Sequence, residues 1–193
     1  MPIRKQIFYL LLVMFVTCCL PLHAVDAAVT KPKTQIGGDF TLHSLKGDVS
    51  LKALRGKVVL LYFGYINCPD ACPTTMTQWR KAFDSLSKSQ LKHVQGIFVS
   101  VDPERDTLRE LDAFTDFFHP NIVGVTGTSE ELHKVTALYG TTFHIKPHKV
   151  GKGYGVEHSY KVFVINVHGQ VVGVTDFTQP APELAKMIRK ALH

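Results

Sequence analysis

Two cysteines, Cys68 and Cys72, stand four positions apart in the stretch Tyr65 to Pro73 (YINCPDACP), where an apolar run gives way to a helical pattern. Sulfur acts as a nucleophile or a metal ligand only as the thiolate, and the unpaired N–H groups and positive dipole end at a helix N-terminus favour that anion. If helical geometry runs through Cys68 to Cys72, residues four apart share one face. Both sulfurs could then point at one ion or oxidise to a disulfide. Spacing alone leaves the two outcomes open.

The elements that must hold the pair are legible around it. Val58 to Tyr65 (VVLLYFGY) is β-branched and aromatic with no charge inside, the pattern of a central strand buried on both faces. Pro73 to Leu86 places Met76, Trp79, Phe83 and Leu86 at spacings of three and four, an apolar stripe facing a core. Pro73 suits a first helical turn, where its missing N–H has no partner to lose. The cysteines are therefore expected at the carboxyl end of a central strand, where open α/β sheets generally place their sites.

Further along, Gly96 to Val101 reads as a second buried strand ending in Asp102-Pro103. Thr107 to Phe118 reads as a helix, Ile122 to Val125 as a short strand, and Glu130 to Tyr139 as a helix capped by Thr128 or Ser129 and ended by Gly140. Thr141 to Glu157, rich in glycine and lysine, reads as a long loop. Tyr160 to Val167 and Gln170 to Phe177 read as strands joined by a two-residue turn at His168-Gly169, and Ala181 to Leu192 as a closing amphipathic helix. Ahead of the central strand, Phe40 to Leu42 and Val49 to Leu51 suggest a hairpin around Lys46-Gly47-Asp48. This order predicts an α/β fold of thioredoxin-like type, with a central mixed sheet flanked by helices and an N-terminal hairpin extension.

The chain has 193 residues and four cysteines. Arg4 and Lys5 precede an apolar run from Ile7 to Leu20, followed by small residues around Ala24, Ala27 and Ala28 with Val25-Asp26-Ala27 as a cleavage site, the layout of a secretory signal. Residues 1–27 are read as a signal peptide or an N-terminal membrane anchor, 28–35 as a linker, and 36–193 as the folded domain. Cys18 and Cys19 lie inside the apolar run and are read as membrane-phase residues. The mature chain then keeps one possible intramolecular pair, too few for a disulfide scaffold. The formal net charge of +6 has no basic block or aromatic-interleaved basic stripe, which argues against nucleic-acid binding.

Three stretches, GKVVLLYFGYINCPDACP, VDPERDT (Val101 to Thr107) and YGVEHSY (Tyr154 to Tyr160), resemble in order and spacing the Sco/SenC family of exported thioredoxin-fold proteins that assist cytochrome c oxidase assembly. The resemblance implies one copper ion, Cu(I) or Cu(II), held by Cys68, Cys72 and His158, and delivery to the CuA-bearing subunit of the oxidase. It implies an exported, periplasmic protein, tethered to the inner membrane if the N-terminal segment is retained, with another periplasmic copper carrier or a thiol reductant as a further partner. Asp102, Arg105 and Asp106 match the family's DPxRDT motif and are read as loop-organising or partner-facing. The donor chemistry agrees: two soft thiolates and an imidazole suit copper, whereas structural zinc takes four closed ligands. The second function class is a thiol-disulfide oxidoreductase using the Cys68–Cys72 pair. His144 and His148 are read as solvated loop residues, and His93, His119 and His133 as surface residues.

Overall fold

The computed structural model describes residues 36–147 and 153–193. The signal, anchor and linker readings, and His148, lie outside these residues. Among the described residues no helix is long and apolar enough to cross a membrane.

The centre is β3 (Val58–Gly64), buried at every position. It pairs in parallel with β4 (Val94–Ser100), which pairs in parallel with β5 (Ile122–Val125). On its other side β3 runs antiparallel to β8 (Lys161–Ile165), which pairs with β9 (Val171–Asp176), giving the order β5-β4-β3-β8-β9. Side chains alternate across a strand, so β3 feeds two cores. Val58, Leu60 and Tyr62 pack with Met76, Trp79 and Phe83 of α1 (Ala71–Asp84), Leu111 of α3 (Leu108–Phe118) and Leu184 and Ile188 of α5 (Ala181–Ala191). Val59, Leu61 and Phe63 pack with Leu132 and Val135 of α4 (Ser129–Leu138) and with Phe40 and Leu42 of the N-terminal hairpin. A strand apolar on both faces therefore becomes the middle layer of a mixed α/β structure.

Capping boxes start α3 at Thr107 with Glu110 and α4 at Thr128 with Glu131, so Thr128 is the cap. A short α2 (Lys88–Leu91), with its own capping box from Ser87 and Gln90, is an element the periodicity did not reveal. In the hairpin of β1 (Thr41–Ser44) and β2 (Gly47–Ser50), Ser44 pairs with Gly47, so the turn is Leu45-Lys46, one residue earlier than expected.

Two expectations are corrected. The stretch 141–157 is not a loop throughout: β6 (Phe143–Pro147) and β7 (Tyr154–His158) form an antiparallel ribbon. Phe143 and Val156 face the core, while Lys146 and Glu157 meet outside it at 2.6 Å, a short alternation hidden among glycines and lysines. The β8–β9 connection is also wider than two residues. Asn166 N–H bonds Gln170 O, the Asn166 side-chain oxygen accepts from the His168 and Gln170 N–H groups, and Gly169 takes φ of +79°.

Candidate metal centre

β3 stops at Gly64, and the chain turns through residues 65–70 before α1 begins at Ala71. Cys68 lies in that turn, its N–H on Tyr65 O at 3.3 Å, and Cys72 is the second residue of the helix. The sulfurs are therefore not aligned by helical register, as the spacing had suggested. The turn folds Cys68 back over the helix start, where its Sγ accepts the Cys72 N–H at 3.5 Å. The sulfur thus takes one of the N–H groups that a helix start leaves unpaired. Asp70, the capping position, makes no side-chain cap bond.

Cys72 is fully buried and sits over Gly64, where a Cβ would stand 2.7 Å from its Sγ. Only a residue without a side chain leaves that space. Neither cysteine is in a disulfide in this structure. Hydrogen bonding from Cys72, helped by the Asp70 and Cys72 N–H groups against the cost of burial, lowers Cys68 to about 4. Cys72, the partner that keeps the proton, is pushed well above the ordinary thiol range by that bond and by burial. At neutral pH the pair is one thiolate and one thiol.

His158 ends β7, opposite Phe143. Its Nδ1 lies 3.0 Å from Ser159 O, which fixes the proton on that nitrogen and leaves the Nε2 lone pair free, 3.9 Å from Cys72 Sγ. Tyr62, Tyr65 and Tyr160 each meet the imidazole edge to face. The two sulfurs and an imidazole nitrogen all lie within 4.8 Å of one another, the one such group of three among the described residues. An ion bonded to two thiolates at about 2.3 Å and an imidazole at about 2.0 Å in a plane separates its donors by roughly 3.7 to 4.0 Å. The donor set fits a soft three-coordinate ion with small side-chain shifts.

Asp102, Arg105 and Asp106 supply no ligand to this group; they join its two halves. Asp106 is buried, its carboxylate accepting from Ser100 Oγ at 2.6 Å and from the Ile66 N–H of the cysteine turn at 2.9 Å. Burial raises its pKa against these two bonds. Asp102, also buried, accepts from Arg105 Nε at 2.5 Å and from the Tyr154 hydroxyl at 2.7 Å. Arg105 donates to Tyr154 O at 3.1 Å and lies 3.9 Å over its ring. One segment thus grips both the cysteine turn and the histidine ribbon.

Sequence reasoning missed Gly64 and Tyr154. The motif YGVEHSY contained Tyr154, yet nothing local ties it to Asp102 across 52 positions. His144 is exposed on the outer face of β6, as read, while His119 is buried, not at the surface. Its Nδ1 accepts the Asn121 N–H, and its ring packs edge-on against Phe83.

The family model SCO1/SenC matches residues 28–193. The chain belongs to the SCO1/SenC family. Its SCO1/SenC relatives include the mitochondrial protein SCO1 homolog 1 of Arabidopsis thaliana, 35% identical over 144 residues, which are 74% of this chain and 43% of that protein. The chain spans about half the length of the curated relatives it matches. Among solved structures, Bradyrhizobium japonicum ScoI with copper bound is 31% identical with a TM-score of 0.72, covering 81% of this chain and 99% of that one. Yeast Sco1 with copper bound is 30% identical with a TM-score of 0.68, covering 80% and 89%. This SCO1/SenC chain therefore has the thioredoxin-like fold of the Sco proteins, with its cysteine turn, its DPERDT segment and its histidine ribbon gathered at one end of the sheet.

Proposed function

We propose that the chain is a copper-binding assembly factor that carries one copper ion on Cys68 Sγ, Cys72 Sγ and His158 Nε2 and delivers it to the CuA-bearing subunit of cytochrome c oxidase. The observation that carries this reading is the convergence of these three donors within 4.8 Å; the copper-bound Sco relatives support it. A three-donor site leaves an open edge for an incoming ligand, which suits transfer more than storage. Binding displaces the proton held by Cys72. We place the protein on the exported side of a membrane, periplasmic, with residues 1–27 as a cleaved signal peptide or a retained inner-membrane anchor, and with another periplasmic copper carrier or a thiol reductant as a further partner.

The test is copper stoichiometry and thiolate absorption of the full chain beside Cys72→Ala and His158→Ala. One copper per chain, lost in both variants, is expected. Retention indifferent to His158 would reject the three-donor site.

One feature favours a second reading, reduction of the oxidase subunit's cysteines. Cys68 is the half-buried thiolate and Cys72 the fully buried thiol. Cys68 would attack a substrate disulfide, releasing one thiolate; Cys72 would then attack Cys68, freeing the second and leaving a Cys68–Cys72 disulfide that an external thiol reductant restores. This activity would need both cysteines and survive loss of His158.

A further inference from the structure

Tyr62 points from β3 into the core beneath the site. It is wholly buried, and its hydroxyl has no hydrogen-bond partner among the described residues. Native proteins almost always pair such groups, so an orphan of this kind needs a reason. The reason lies in what borders it. A Cβ built on Gly64 would stand 2.7 Å from Cys72 Sγ and 3.0 Å from Tyr62 Cε1, the ring carbon beside the one bearing the hydroxyl. Sulfur and phenol edge therefore both border the space at Gly64. The same ring meets His158 edge to face, with centroids 5.9 Å apart.

We infer that the Tyr62 hydroxyl is a positioning donor to the Cys72 sulfur, and that its hydrogen bond closes when Cys72 is a metal-bound thiolate. This rests on the reading of Cys72 as a copper ligand. A thiol sulfur is a weak acceptor, whereas a thiolate sulfur is a charged one to which a phenol donates strongly. A Cys72 thiol thus leaves the donor waiting, and a Cys72 thiolate satisfies it. Partners of this kind orient metal ligands, and their loss typically weakens metal affinity by about tenfold to a hundredfold. The competing acceptor beside the hydroxyl is Thr75, which donates to Ala71 O at 2.8 Å and keeps its lone pairs.

Two readouts with opposite signs test the inference on the full chain. Tyr62→Phe removes an unpartnered hydroxyl from the metal-free core, so its urea midpoint without metal should equal or exceed that of the wild type. The same variant should hold Cu(I) about tenfold more weakly in competition with a chromophoric copper chelator, and its Cu(II)-thiolate band should move. Thr75→Val should leave the affinity unchanged. A Tyr62→Phe chain with wild-type affinity and an unmoved band, or one that loses metal-free stability while keeping its affinity, overturns the inference. A wild-type chain that holds no copper overturns the metal-centre reading and this inference together.

Discussion

The Tyr154 hydroxyl donates a 2.7 Å hydrogen bond to the buried Asp102 carboxylate, tying the start of the histidine ribbon to the end of a central strand. Arg105 completes the latch by bonding Asp102 and the Tyr154 carbonyl while lying over the Tyr154 ring.

Loss of one member should therefore act on His158 without touching it. Arg105→Ala leaves a fully buried carboxylate without its cation and should cost about 3 to 5 kcal/mol of stability. Tyr154→Phe keeps the ring and removes one bond to a charged group, for about 1.5 to 3 kcal/mol. Urea unfolding gives these values. Metal-release rates should rise in Tyr154→Phe, since the ribbon then keeps only the Arg105 contacts of the latch. Equal release rates would show that the latch serves folding only.

Gly64→Ala should be the most damaging small change at the site. The added methyl would stand 2.7 Å from Cys72 Sγ, 2.9 Å from Phe98 and 3.0 Å from Tyr62, all fully buried. Overpacking of this kind costs about 1 to 3 kcal/mol, and the sulfur is among the atoms that must move. Thermal unfolding and copper titration should report both losses.

Alkylation should separate the two sulfurs. With Cys68 lowered to about 4, its thiolate is fully formed from pH 6 to pH 8, so its reaction with iodoacetamide should be nearly flat across that range. Cys72, buried and protonated, should stay unlabelled in the folded chain. Mass spectrometry of timed samples reads both. A Cys68 rate rising tenfold per pH unit over that range would contradict the assignment.

His119 should make the fold sensitive to acid. Burial lowers its pKa, with Asp84 acting against that shift and Arg80 adding to it. The unfolded chain then binds the proton more readily than the folded one, so stability rises with pH in this window. The contribution is present above about 6.5 and is lost as the pH falls through the lower folded value. His119→Gln should flatten the slope of urea midpoint against pH between about 7 and 5. An unchanged slope would place the acid sensitivity elsewhere.

Much of this site was legible locally. The uncharged run from Val58 required a strand buried on both faces, and the stripe of Met76, Trp79 and Phe83 required a helix laid against it, so the strand-to-helix junction carrying Cys68 and Cys72 followed from periodicity. Motif likeness added His158 as a candidate. The ribbon of β6 and β7 was not legible, because its few apolar residues are scattered among glycine, proline and lysine and its pairing depends on a core supplied by other elements.

The amino-acid order by itself determined which residues could bear the chemistry and on what kind of element the cysteines stand, because burial and hydrogen-bonding periodicity are local properties. Only the tertiary structure decided that His158 Nε2 lies 3.9 Å from a sulfur 86 positions earlier, that Asp102 and Asp106 grip opposite halves of the site, and that Gly64 is the space for Cys72. Those relations depend on β8 pairing antiparallel to β3, which sets the strand that follows His158 beside the strand that precedes Cys68. No short window of sequence contains both strands.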